Sequence, residues 1–263
     1  MSVGLYSLRG MGYAADERTV ATPEESWFLD TVFTPGTRLG AHTHEPATVV
    51  RVVEVREVTT VRVPSGRLIV DSPWPDDDDP ELSLRAGREL KERLPSGAFP
   101  AEAAWTEAPY EYGGEQFDGR EVAAIRLRIR DAPVTCWEMA LGVGEDIERI
   151  SPGERIQFYS EQNMGCFADA TAWAPLTQPF RAFWQDAEAG RQNGRDTEDL
   201  FDGDFERVGD DVLEADLVTF IAEGNAVVWL GRTETGSVAS VVVANGYRPY
   251  LMTWSRGSSA PST

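Results

Sequence analysis

The alternation of apolar and polar positions divides the chain into short strand-like segments around one helical stretch. Val49 to Val63 is dense in β-branched residues: Val49, Val53, Val55, Val61 and Val63 share one parity, and Glu54, Arg56 and Arg62 take the other. Val50, Val52 and Val58 blur the alternation, but the composition is that of a strand. Pro64-Ser65-Gly66 is a turn and Arg67 to Val70 a second strand, so the pair predicts a hairpin. Phe99 to Ala108 is a strand with Trp105 inside. Glu121 to Arg130 alternates most cleanly, with Ala123, Ile125, Leu127 and Ile129 on one face and Arg126, Arg128 and Arg130 on the other. Such a strand is half-exposed. Its basic row predicts pairing with acids of a neighbouring strand in preference to an anion site. Val134 to Leu141 and Ile156 to Tyr159 are further strands. Leu217 to Ala222, Ala226 to Arg232 and Val238 to Val243, separated by Gly-containing turns, read as a three-stranded antiparallel meander.

Trp27 to Phe33 reads as a short strand, Leu39 to His44 follows the turn at Pro35-Gly36, and Leu82 to Leu94 reads as a short helix rich in helix-favouring residues. The principal helix is predicted within Asp169 to Gly190, capped by Asp169 or Thr171. Pro175 and Pro179 confine its regular part to 179–189, where Phe180, Phe183, Trp184 and Ala187 form an aromatic stripe. These elements imply an α+β, β-rich fold class: two packed, mainly antiparallel sheets with one principal helix closing one side. Ile69, Ile125, Leu127, Trp137, Phe167, Phe183, Trp184, Val228 and Trp229 are the expected core. Residues 1–26 are polar and aperiodic and read as a loosely held arm. The chain divides into an N-terminal arm with the first strands (1–58), a β-rich domain (59–256) and a small polar tail (257–263), disordered as chain ends are. Asp71 to Pro80, DSPWPDDDDP, is a loop whose acids form a solvated turn. Arg191 to Asp211 is a long polar loop.

Charge narrows the partners. The 263 residues carry a net charge of -20, which speaks against nucleic acid and anionic membranes and leaves room for a basic protein. No run of eighteen apolar residues exists, and the first residues lack the basic start and apolar core of a signal peptide. Two cysteines, Cys136 and Cys166, are too few for a disulfide scaffold. A cytoplasmic location is the expectation.

Candidate chemistry centres on Phe158 to Trp173, FYSEQNMGCFADATAW. Cys166 is placed just before the predicted helix, where amide dipoles would lower its pKa, and Asp169 follows three residues on. A cysteine nucleophile also needs a base, usually histidine, and the chain has only His42 and His44. Asp169 suits a helix cap better than an orienting acid, and a buried structural thiol is the more ordinary reading of Cys166. On a strand, His42 and His44 would face the same way and could grip one metal, with further carboxylates borrowed from elsewhere. Nucleotide-loop, zincin, α/β-hydrolase and CxxC motifs are all absent, so the sequence names no cofactor.

Several segments in order are VPSGRLIVDSPW (Val63 to Trp74), LPSGAFP (Leu94 to Pro100), REVAAIRLRIRDAPVTCWEMAL (Arg120 to Leu141), MGCFADATAW (Met164 to Trp173) and NAVVWLGRTETG. Their order resembles a family of bacterial proteins catalogued as domain of unknown function 4241, over roughly residues 60–245. The resemblance implies no activity. Two functions are carried forward. The first is a soluble, non-catalytic protein-binding module, a neutralising partner of a basic toxin or effector. The alternative is a hydrolase-type enzyme with a pocket near Cys166 and Asp169, using His42 and His44.

Overall fold

Strand-rich segments need both faces covered if their alternation is blurred, and that is how they are arranged. The computed structural model describes residues 13–41, 49–75, 87–151, 153–189, 205–222 and 224–244. A seven-stranded antiparallel sheet runs, from edge to edge, Arg38–Ala41 (β1), Val49–Val63 (β2), Gly97–Glu107 (β5), Glu121–Arg128 (β8), Val238–Ala244 (β16), Val228–Arg232 (β15) and Cys136–Met139 (β9). A five-stranded one runs Arg207–Asp210 (β12), Ala215–Ile221 (β13), Met164–Asp169 (β11), Arg67–Asp71 (β3) and Glu89–Arg93 (β4). Two short pairs stand apart, Tyr110–Tyr112 (β6) with Glu115–Phe117 (β7) and Phe158–Tyr159 (β10) with Asn225–Ala226 (β14). The expected fold class, α+β with two packed antiparallel sheets, is the one observed. Val61, Phe99, Ile125, Leu127 and Val241 of the larger sheet meet Leu68, Val70, Phe167, Val218 and Phe220 of the smaller one.

Each outer face carries a helical layer. Pro23–Thr31 (α1) lays Phe28 and Leu29 over Trp137, Met139, Trp229 and Val242 of the larger sheet. Trp173–Leu176 (α2) and Gln178–Glu188 (α3) bring Leu176 and Phe180 onto Ile69, Cys166, Ala168 and Leu217 of the smaller sheet. Strands covered on both sides have no polar face to show, which is why β13 and β16 read as nearly continuous apolar runs. In the expected core, Phe183 and Trp184 are only half-buried; Phe180 is the ring that is fully enclosed. The basic row on β8 pairs as expected, with Arg126 Nε 2.7 Å from Glu102 Oε2 on β5.

The hairpin expected across Pro64-Ser65-Gly66 is corrected. β2 pairs with β5 and β3 with β4, and one register runs through both pairs: Val61 opposite Phe99, Val63 opposite Gly97, then Arg67 opposite Arg93. Pro64-Ser65-Gly66 and Pro95-Ser96-Gly97 therefore lie side by side. They bend a single long two-stranded ribbon so that its halves join different sheets. Ser96 Oγ donates to the Pro64 carbonyl at 2.6 Å, and Leu94 N–H to that of Gly66 at 2.9 Å. The same pairing overrides the helix expected over Leu82 to Leu94, whose described part is β4; helix propensity is a weak prior beside a strand partner and a buried Leu90. The C-terminal meander is corrected too. β15 and β16 form a hairpin, but β13 belongs to the smaller sheet. Likewise Arg207–Asp210, read as loop, is an edge strand paired with β13.

Residues 13–31 are neither a loose arm nor a strand. Thr22 caps α1 with a reciprocal pair of bonds: its Oγ1 accepts from Glu25 N–H at 3.2 Å and its own N–H donates to Glu25 Oε2 at 2.7 Å, with Pro23 in the first turn. Ahead of the cap, Ala21 N–H donates to the Trp137 carbonyl at 3.0 Å and Met139 N–H to that of Thr19 at 2.7 Å, extending the β9 edge. Arg155 ties the corner, gripping Glu25 with two nitrogens and donating to the carbonyls of Arg18 and Val20. β2 runs unbroken through residue 58, so β1 and the first half of β2 share the larger sheet with β5 and β8. Among the described residues no helix is long and apolar enough to cross a membrane.

Candidate functional site

The far tip of the bent ribbon builds a pocket. β3 ends at Asp71, and its carboxylate accepts from Ser72 N–H at 2.9 Å and from Arg88 N–H, on the returning arm, at 2.7 Å. Trp74 stands next, between prolines 73 and 75. Its ring stands edge-on to Phe180 (5.1 Å) and Phe183 (5.8 Å) of α3. Gly87 is where the second arm passes Trp173: a Cβ there would lie 2.7 Å from the indole and 2.8 Å from Ile69, so only glycine lets the ring lie this close. The pocket has a volume of about 660 Å³ and is walled by Trp74, Trp173, Phe158 and Tyr159 and by Asp71, Glu89, Glu145, Glu161, Arg88 and Arg181. That volume is within the ~300–1,000 Å³ range of small-ligand sites.

Charge in the pocket is ordered by pairs. Arg88 holds Glu145 through Nε (2.7 Å) and Nη2 (2.9 Å), and Nη2 also donates to the Ala140 carbonyl. Its Nη1 is buried with no hydrogen-bond partner among the described residues. Burial would raise the Glu145 carboxyl, but the bonds from Arg88 and from Gly142 N–H outweigh it and hold the group below its ordinary value. Hydrogen bonding from Arg67 does the same for Glu89.

Neither Cys166 nor Asp169 lines this pocket. Cys166 lies within β11, paired across to Asp71 on one side and Thr219 on the other, so it does not sit at a helix start. Its side chain is fully buried beneath the α2–α3 layer, and burial, then the Asp71 charge, pushes the thiol well above its ordinary value. This corrects the expected dipole-lowered pKa: the strand continues to Asp169 before any helical turn begins. Cys166 lies one strand from the pocket without lining it. Asp169 ends the strand on the opposite parity. One oxygen accepts from Ser65 N–H (2.9 Å) and Oγ (2.7 Å), the other from Thr171 N–H (2.8 Å) and its hydroxyl. It caps the turn Ala170–Ala172, as the capping reading expected, and fastens the first bend of the ribbon to β11. His42 and His44 lie outside the described residues. Among the described residues no group of three or more His, Cys, Asp or Glu could hold a metal. Because Cys166 is enclosed, an alkylating reagent added to the native protein should label Cys136 first and Cys166 only at the rate of unfolding. Peptide mass mapping over time checks this, and rapid native labelling of Cys166 would contradict it.

The sequence model of the family described as Protein of unknown function (DUF4241) matches residues 61–243. The chain belongs to this family. No curated protein and no solved structure matches it. The DUF4241 match begins at the end of β2 and runs to β16. It takes in both ribbon bends, the pocket walls and the whole smaller sheet, and leaves α1 and β1 outside.

Within the DUF4241 segment two buried aspartates contribute to acid sensitivity beside Glu89 and Glu145. Burial would raise both Asp169 and Asp216, but hydrogen bonds outweigh it, from Thr171 and Ser65 in the first case and from Arg62 and Arg207 in the second. Both therefore stay below the ordinary 3.8 in the folded chain. A depressed carboxyl contributes stability that is present above its unfolded pKa and is lost as pH falls through the folded one. Urea midpoints should accordingly be flat near neutrality and drop below about pH 4. A midpoint that rose on acidification would contradict the assignment.

Missed by the sequence reading were Trp74, Arg88, Glu161 and Trp173. A usable signal was there: a tryptophan between two prolines, in a loop too short of apolar residues to bury it alone.

Proposed function

We propose that this DUF4241 protein is a non-catalytic module that binds a basic partner protein, the partner being a basic toxin or effector that it neutralises. The observation that carries the reading is where the charges go. Against a net charge of -20, several of the described arginines pair with acids of the chain itself: Arg62 and Arg207 with Asp216, Arg67 and Arg93 with Glu89, Arg126 with Glu102, Arg155 with Glu25, Arg232 with Glu92 and Glu138. The net excess is acidic.

One place offers that charge together with apolar contact. Among the described residues β6 and β7 form a two-stranded hairpin of their own, which turns at Gly113-Gly114, both with positive φ. All of β7 is exposed. Phe117 stacks on Tyr110 at 5.1 Å, flanked by Glu111, Glu115 and Asp118. Acids around an exposed ring steer a basic surface by charge and hold it by area.

The test is capture of the tagged protein from lysate of its own cells at low and moderate salt, with mass spectrometry. The recovered partner is then titrated in purified form against wild type and a Glu115→Lys, Asp118→Lys variant. One stoichiometric basic protein is expected, bound less tightly as salt rises and less tightly still by the variant. An acidic partner, a salt-indifferent affinity or no partner would defeat the reading.

A further inference from the structure

We infer that the outer edge of β12 is a docking site for an extended basic segment of a partner protein, which adds to the smaller sheet as one more strand. An unpaired edge is a row of backbone donors and acceptors ready to take a strand. Elsewhere the chain covers such edges itself: residues 19–21 bond along β9, and residues 141–143 along β4. β12 has no such cover among the described residues. Which of its groups point outward follows from its pairing with β13. Thr219 N–H donates to the Glu206 carbonyl at 2.8 Å, and bonded pairs alternate along an antiparallel ladder. Val208 opposite Leu217 and Asp210 opposite Ala215 therefore turn their backbone groups to β13, and Arg207 and Gly209 present theirs to the outside. Both of these residues are exposed.

Charge selects the strand that fits. Glu206, Asp210, Asp211 and Glu214 lie in and beside β12, and the one basic side chain among them, Arg207, is already bonded to both oxygens of Asp216. Like charge keeps a second copy of this edge away, whereas basic side chains on an added strand come to face acids. Apolar contact lies at the end of the edge. Asp210 Oδ1 accepts from Val212 N–H and from Leu213 N–H, each at 2.9 Å, and so fixes the turn that follows. That turn holds Val212 92% and Leu213 42% exposed. A segment in which basic and apolar side chains alternate meets both demands, its backbone giving affinity and its side chains the choice of partner.

The inference rests on the basic-partner reading for its occupant, but it is tested apart from that reading. The probe is an end-capped heptapeptide of alternating lysine and valine, titrated into the full chain and followed by NMR. Saturable binding in the millimolar range or tighter is expected, with the glutamate-for-lysine peptide at least about tenfold weaker. The Arg207 and Gly209 amides should exchange with water more slowly once the peptide is bound. Gly209→Pro removes one outward N–H, at an edge position where proline breaks no ladder bond, and should weaken the peptide at least about tenfold. Gly209→Ala is its control: it sets a Cβ at the same place, 3.1 Å from Asp216 Oδ1 and 3.3 Å from Arg62 Nη2, but keeps the N–H, and should bind within about threefold of wild type. Should the proline variant fail to fold, amide exchange in the wild type decides alone. No saturation by about 10 mM, equal binding of the glutamate peptide, unchanged exchange at Arg207 and Gly209, or a folded proline variant that binds like the alanine one overturns the inference. The captured partner separates the two proposals. If Gly209→Pro binds it as tightly as wild type does, strand addition falls and the partner reading stands. If the peptide docks at β12 and no basic protein is captured, the edge stands and the partner reading falls.

Discussion

Asp216→Ala is expected to cost about 3 kcal/mol of folding stability, read as a lower urea midpoint with an unchanged slope. The carboxylate lies on β13 in the layer between the sheets, fully buried, and it is a polar link across that layer. Arg62, on β2 of the other sheet, donates to it from its backbone N–H (2.8 Å), Nε (3.0 Å) and Nη2 (2.8 Å), and Arg207 from β12 adds Nη2 at 2.9 Å. Breaking a buried pair from one side costs about 3–5 kcal/mol because the other charge is stranded. Here the stranded guanidiniums are partly hydrated, with the side chains of Arg62 and Arg207 27% and 46% exposed, so the lower end applies. The Arg62 backbone N–H has no such relief. Asp216→Asn keeps the shape and one acceptor and should fall between alanine and wild type. An alanine variant within about 0.5 kcal/mol of wild type, the scatter of ordinary surface changes, would show that the link carries no weight.

What could be read from the sequence was local. The alternation in Glu121 to Arg130 and the β-branched density of Val49 to Val63 fix strands because side-chain period and propensity are properties of a few neighbouring residues. Pairing is not such a property. Pro64-Ser65-Gly66 looks like a hairpin turn, and it becomes a bend because Pro95-Ser96-Gly97 lies beside it, some thirty residues on. The repeated PSG was legible, but its meaning needed the partner arm. Trp27 to Phe33 shows the opposite failure. The capping box Thr22-Pro23-Glu24-Glu25 stood in the sequence and outranks the strand-like apolar run after it. The buried state of Cys166 comes from β11 being central in its sheet, flanked by β3 and β13, which no local pattern announces. The pocket was the least legible of all, since Trp74 and Trp173 stand 99 positions apart in the chain and meet only through the ribbon tip and α2.

Gly66→Ala should cost about 3 kcal/mol of folding stability or more. Gly66 sits in the first bend with φ +67°, where a non-glycine residue pays about 1–3 kcal/mol in strain. A Cβ there would meet the Leu94 carbonyl oxygen at 2.3 Å. That oxygen belongs to the backbone of the returning arm, held close by the bond from Leu94 N–H to the Gly66 carbonyl, so it cannot rotate aside as a side chain would. Relief requires the arms to part at the bend. Everything distal rides on that geometry: Asp71, Trp74 and Arg88 are carried on the two arms beyond it. Gly36→Ala supplies the comparison, because Gly36 has φ +89° and, among the described residues beyond its chain neighbours, no atom within 4 Å of an added Cβ. It should show the strain alone, about 1 kcal/mol. The difference between the two variants measures the close approach of the arms. If both lost the same stability, the close approach of the arms at the bend would carry no weight.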